Sequence, residues 1–154
     1  MPTAKQPSEL KSHIGYQLRC ISNAVSHSFA QKLAKYEVTV AEWVILREMY
    51  ANNESTSPGI IAEFTGLTRG AVSKLIDRLV HKKLVSRSEA KTDRRFQQIK
   101  LLPIAKELVP KLAAIADEND HYFFSVLSTI EQENLMKTLL KLTESHKLKT
   151  NPIE

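Results

Sequence analysis

The sequence predicts a mainly α-helical chain carrying one small β-hairpin, and three observations lead there. Apolar residues recur at steps of three and four over long stretches at both ends of the chain. A three-residue turn containing glycine separates two short helical segments in the middle. Directly after them the apolar pattern switches to period two for a few residues. The composition is that of a folded protein: 154 residues, 42% hydrophobic and 25% charged, with 4 Gly and 6 Pro. So few glycines and prolines argue against a β-sandwich, a collagenous repeat or a low-complexity chain. With no internal repeat and no linker, residues 1–154 read as one domain.

The first helix is predicted from Ser8 to Tyr36, because Leu10, Ile14, Leu18, Ile21, Val25, Phe29, Leu33 and Tyr36 share one face. A rod of this length, about 42 Å, must bury part of its stripe against something outside its own domain. Thr39 and Glu42 have capping-box spacing, and Val38 and Trp43 can form a hydrophobic staple, so a second helix begins at Thr39 and runs to Tyr50. Residues 51–57 read as a polar loop. Ser57 and Pro58 supply an N-cap and a first-turn proline for a short helix ending near Phe64. Thr65-Gly66-Leu67 is the turn, and Thr68 caps a helix that runs to about Lys82. Two short helices across such a turn are a helix-turn-helix. In the second of them Val72, Leu75, Ile76 and Leu79 face inward, leaving Arg69, Ser73, Lys74 and Asp77 on the other side, flanked by Arg78.

Leu84–Arg87 and Gln97–Leu101 read as strands, with Ile99 and Leu101 inward. The polar stretch 88–95 lacks an Asn-Gly or Asp-Gly turn, so a long flexible wing is expected rather than a tight hairpin. Pro103 opens a long helix, and Ser128 with Glu131 forms a second capping box opening another, striped by Leu135, Leu139, Leu142 and His146. Residues 147–154 read as frayed. The arrangement is a winged helix-turn-helix over 39–102, flanked by helical segments 8–36 and 103–147. These flanking helices carry more apolar stripe than a chain of this size covers internally, so they are expected to be dimerisation helices.

The net charge of +5 is local. Between Thr68 and Arg95 lie nine cations and three anions, so this stretch is +6 and the remainder is −1. A near-neutral scaffold with one basic block fits a polyanion partner; a merely solvated basic surface is the competing reading. A basic helix in this position suits the DNA major groove. Arg69 and Lys74 can reach guanine or phosphate, Ser73 a base or the backbone, and Arg78 a phosphate. Thr68 and the free amides at the helix start can hold another phosphate.

Other classes find no support. A single Cys excludes a disulfide framework and a multi-thiolate zinc site. The five histidines are scattered, so no metal site and no cofactor are expected. A Gly-rich phosphate loop, HExxH and GxSxG are absent, which argues against an enzyme. No apolar run approaches the ~18 residues of a membrane span, and the polar start lacks a signal-peptide core, so the cytoplasm is the expected compartment. Cys20 beside the first apolar stripe reads as a small buried hydrophobe.

The run IIAEFTGLTRGAVSKLIDRLVHKKLVSRSEAKTDRRFQQIKLL resembles the central region of the MarR family of bacterial transcription regulators. The resemblance rests on the recognition helix from Thr68 to Leu79, the Leu84-Val85-Ser86-Arg87 strand and Asp93-Arg94-Arg95. VTVAEWVIL before it and LSTIEQENLMKTLLKL after it extend the similarity over nearly the whole chain. It implies a homodimeric, sequence-specific DNA-binding regulator, a repressor, bound to a pseudo-palindromic double-stranded operator. The family's Asp-x-Arg wing pattern falls on Asp93 and Arg95. A carboxylate there would hold the guanidinium in one pose for the minor groove, with Arg94 on phosphate.

Two positions depart from the pattern: Lys83 stands in place of a glycine, and Leu102-Pro103-Ile104-Ala105 in place of Leu-Thr-x-x-Gly. The reactive cysteine of peroxide-sensing members would fall near Gly15, not at Cys20. The resemblance also implies a small aromatic acid effector where the dimerisation helices meet the winged helix. The candidates are His13, Tyr16, Gln17, Trp43 and Arg47, with aromatic rings to stack and cations to pair a carboxylate. A core role for Trp43 and a solvated Arg47 are the competing readings. The alternative function is a winged-helix protein-interaction module without DNA binding; Arg95 and the +6 block argue against it.

Overall fold

The computed structural model describes residues 5–90 and 93–154. In chain order the elements are α1 (Ile14–Ala34), α2 (Val40–Ala51), β1 (Ser55–Thr56), α3 (Pro58–Thr65), α4 (Arg69–His81), β2 (Val85–Ala90), β3 (Asp93–Leu101), α5 (Pro103–Phe124) and α6 (Thr129–Ser145). No helix among the described residues is long and apolar enough to cross a membrane.

Side-chain caps set the helix starts where the sequence places them. Thr39 and Ser128 form full capping boxes with Glu42 and Glu131, and Ser57 and Thr68 accept from the amides of Ile60 and Ala71. The main core joins Ile45, Leu46 and Met49 of α2 and Ile61 of α3 to Val72, Leu75, Ile76 and Leu79 of α4, with Ile99 and Leu101 of β3 beneath them. Val38 and Trp43 meet in a second cluster with Leu33, Leu112 and Phe29, so the expected staple forms and also ties α1 to α5. Further along, the buried Asn119 of α5 accepts from Ser28 Oγ at 2.8 Å and Lys32 Nζ at 3.1 Å, and donates to the Val25 carbonyl at 3.1 Å. The pairing of Leu33 with Leu112 and of Ser28 with Asn119 makes the two helices antiparallel.

The first helix begins at Ile14, not Ser8. His13 is extended (ψ 127) and its ring contacts Ser8 Oγ and the Leu10 carbonyl, which leaves only a 3-10 turn over Leu10–Ser12. The rod is therefore about 32 Å long. Cys20 is exposed rather than buried. By helical spacing it lies on the side of α1 away from Val25, Ser28 and Leu33, which meet α5.

The sheet has three antiparallel strands in the order β1-β3-β2, where only a hairpin was expected. Ser55 and Thr56 pair with Lys100 and Ile99 after two residues with positive φ, Asn53 and Glu54, turn the chain. The wing also departs from expectation. The ladder runs from Val85↔Leu101 out to Ala90↔Asp93, with an irregularity at Glu89/Ala90, so residues expected as a long connection are mostly paired strand. Backbone pairing needs no apolar alternation, and polar side chains here conceal it.

Three helices end in the same backbone device. The amides of Glu37 and Val38 bond Ala34 and Leu33, those of Lys83 and Leu84 bond Val80 and Leu79, and those of Lys147 and Leu148 bond Glu144 and Thr143. Each needs one left-handed residue, and Glu37 (φ 57), Lys83 (φ 60) and Lys147 (φ 53) adopt it without being glycine. Lys83 thus makes the junction where the resembled family uses glycine, at a cost of about 1–2 kcal/mol.

Residues 147–154 are not frayed. After the turn at Lys147 the chain returns to α3, where the Asn151 amide donates to the Phe64 carbonyl at 2.8 Å. An apolar groove of about 560 Å³ stays uncovered between α1 and the α5–α6 elbow, lined by Ile14, Leu18, Ile21, Phe123, Val126 and Leu139 among others. Ile14 is 78% and Val126 84% exposed, and α6 buries none of its residues.

Candidate nucleic-acid interface

The candidate surface is built by what α4 cannot expose. Val72, Leu75, Ile76 and Leu79 are locked into the core, which fixes the rotation of the helix. The remaining positions, Arg69, Ser73, Lys74 and Arg78, all reach solvent, as does Thr68 at the cap. Upstream, Gly66 takes the left-handed conformation (φ 73) and donates its amide to the Ala62 carbonyl, closing α3 and turning the chain into α4. The Thr65 hydroxyl braces the same turn, donating to the Ile61 carbonyl at 2.6 Å and accepting from the Leu67 amide.

The basic block divides on inspection of its partners. Lys82 Nζ lies 2.7 Å from Glu42 Oε2 and also donates to the Glu37 carbonyl at 2.6 Å, so it fastens the end of α4 to the α1–α2 junction. Arg87 on β2 pairs with Asp77 on the exposed face of α4, linking the wing to that helix. Arg69, Lys74 and Arg78 carry no ion pair with a described residue and present their charge outward.

A cleft of about 330 Å³ runs between the start of α3, α4 and the wing. It brings Arg69 and Ser73 together with Ser57, Arg87, Phe96 and Gln97. Of these, Ser57, Arg87, Phe96 and Gln97 were not singled out from the sequence as site residues. The available signal was Phe96, an apolar residue in a polar wing and 63% exposed. The backbone of Asp93, Arg94 and Arg95 belongs to β3, at the tip of the wing; their side chains lie outside the described residues, so the geometry of the Asp-x-Arg pattern does too.

The five effector candidates separate into two groups. Trp43 and Arg47, one turn apart on α2, share a crevice of about 320 Å³ with Phe29 and Val40. Trp43 meets Phe29 edge to face at 6.0 Å between ring centroids. Tyr16 lies 13 residues before Phe29 on α1, roughly 20 Å away along the same chain. Beside it, the Gln17 side chain donates to the Lys11 carbonyl, and His13 is engaged with Ser8 and Leu10. Among the described residues no group of three or more His, Cys, Asp or Glu side chains comes together as a metal site.

Solved structures share this architecture. A Staphylococcus aureus MepR–DNA complex is 29% identical, with a TM-score of 0.76 over 86% of this chain and 98% of that one. Bordetella bronchiseptica BpsR, whose DNA binding is described as regulated by 6-hydroxynicotinic acid, is 22% identical, with a TM-score of 0.75 over 90% and 98%. Wild-type MarR from E. coli in its apo form is 18% identical, with a TM-score of 0.73 over 84% and 96%. Residues 36–95, from the end of α1 to the wing, match the sequence profile of the MarR family. With that match lying on the helix-turn-helix and wing, residues 36–95 carry the MarR-family pattern, and the helices around them fold as in these solved structures.

Proposed function

We propose that the chain is a homodimeric, sequence-specific DNA-binding transcription regulator whose affinity for its operator is lowered by a small aromatic acid. The observation that carries the reading is the exposed face of α4: Arg69, Ser73, Lys74 and Arg78 project from a helix whose opposite face is wholly buried. A rigid helix with its N-terminal polar residues outward matches major-groove readout. The wing stands beside it, ending in Asp93, Arg94 and Arg95, as minor-groove contact requires. MepR, a structurally similar chain, has been solved on DNA.

The second copy is proposed for the uncovered groove between α1 and the α5–α6 elbow, because Ile14, Leu18, Ile21 and Val126 stand exposed together there and contiguous apolar patches mark interaction sites. Light scattering should then report twice the 17.4 kDa chain mass. Selection of bound duplexes from random DNA should enrich a pseudo-palindrome with half-sites about 10 bp apart. A monomer that enriches no sequence contradicts the proposal and favours a protein-interaction module.

The effector is placed in the crevice of Phe29, Trp43 and Arg47, where rings can stack an aromatic acid and a guanidinium can pair its carboxylate. His13, Tyr16 and Gln17 stand apart from it in the same chain. Titration with salicylate should change Trp43 fluorescence and release operator DNA together, since coupling between the two ligands is reciprocal. A fluorescence change with unaltered DNA affinity would leave a pocket without a switch.

A further inference from the structure

We propose that residues 148–154 form a strap that walls one side of the α1–α2 crevice and braces the helix-turn-helix turn, so that the strap and a small molecule compete for the Trp43 and Arg47 walls. Only the identity of that small molecule rests on the effector reading above.

The strap begins where α6 ends. Lys147 in its left-handed conformation reverses the chain, and the Leu148 amide bonds the Thr143 carbonyl at 2.9 Å. The chain then reaches the end of α3, whose last carbonyls have no partner within the helix. The Ala62 carbonyl is taken by the Gly66 amide, and the Phe64 carbonyl accepts from Asn151 at 2.8 Å. The strap thus supplies a donor that α3 lacks. Thr150 lies over Gly66 so closely that a Cβ on that glycine would stand 3.2 Å from Thr150 Cγ2. Beyond this point Asn151, Pro152 and Glu154 form one wall of the crevice whose other walls are Phe29, Trp43 and Arg47.

The chemistry of the strap resembles that of the ligand it would exclude. A proline ring and a carboxylate line the same space as two aromatic rings and a guanidinium. Its hold is modest, with one backbone hydrogen bond beyond Leu148 and only Asn151 and Ile153 half-buried. Segments with so few buried contacts open locally at low free energy. The strap touches the crevice and the α3–α4 turn at once. A ligand that takes the strap's place against Trp43 and Arg47 would therefore also remove Asn151 from Phe64 and Thr150 from Gly66, loosening the turn that aims α4.

The test uses Trp43, the only tryptophan in the chain. Acrylamide quenching is compared for the full chain, a chain ending at Lys147, and the variant Asn151→Pro, which removes the donor to Phe64 without shortening the chain. Both changed proteins should show stronger quenching, and their salicylate Kd should fall about tenfold if the strap is seated nine-tenths of the time. Equal quenching in all three proteins overturns the proposal. Stronger quenching in a chain that binds no salicylate upholds the strap and rejects the aromatic-acid effector.

Discussion

Lys82→Met should destabilise the fold while leaving the electrostatics of DNA binding unchanged. Glu42 is fully buried, and its carboxylate is neutralised by Lys82 at 2.7 and 3.0 Å, with the Thr39 amide at 3.3 Å as a further donor. Methionine keeps the aliphatic stem and removes the charge, leaving a buried carboxylate with one long hydrogen bond and the Glu37 carbonyl without its donor. Breaking a buried pair from one side costs ~3–5 kcal/mol. The Lys82 side chain is 30% exposed, so water reaches the site and the lower end, about 3 kcal/mol, is expected. For a chain of this size that lowers Tm by roughly 6–12 °C. Unfolding should be followed by circular dichroism at one fixed protein concentration, because the stability of the proposed dimer depends on it. A loss under ~1 kcal/mol, as for an exposed pair, would refute the reasoning. The salt dependence of DNA binding supplies the second arm: it should be unchanged in Lys82→Met, because this ammonium is committed within the protein.

Lys83→Gly should stabilise the fold by about 0.5–1 kcal/mol, the left-handed strain relieved less the added chain entropy, as read from the urea midpoint. Asn119→Leu removes the partner of Ser28, Lys32 and the Val25 carbonyl and should cost about 2–3 kcal/mol, measured by the same unfolding curve. The Asp120 carboxyl is raised above the usual aspartate range by partial desolvation, then by the neighbouring Asp117. The folded chain therefore holds this proton to higher pH than the unfolded chain, and ionisation of Asp120 opposes folding as pH rises through its folded pKa. Asp120→Asn should accordingly be the more stable protein at neutral pH, with the difference closing below the unfolded value of ~3.9. Arg95→Ala should weaken operator binding and reduce preference for A·T-rich flanks, scored by competition between duplexes.

What could be read from the chain follows from how local its cause is. Thr39, Ser57, Thr68 and Ser128 marked helix starts because a capping side chain acts within three residues of itself. The outward face of α4 was equally legible, since its four buried residues keep helical spacing. Features made by distant backbone groups left no such trace. β1 is two residues long and exists only through its pairing with β3, and the polar wing strands pair without alternation. The seat of residues 148–154 on α3 depends on one amide and a carbonyl at the end of another helix. Lys82 and Arg87 counted as free positive charge in the sequence, yet their carboxylate partners lie 40 and 10 residues away. At the start of α1 the apolar stripe continued through Leu10 although His13 leaves the helical conformation.

The central claim is that the exposed face of α4 binds DNA through charge that the fold leaves outward. It is tested most directly by titrating the selected duplex at several salt concentrations with the parent protein and Lys74→Ala. Neutralising one phosphate contributes about 0.9 to the slope of log affinity against log salt. Lys74→Ala should bind more weakly and lower the magnitude of that slope by about this amount for each Lys74 in contact. Equal affinity and an equal slope in the two proteins would contradict the assignment of α4 as the DNA-reading helix.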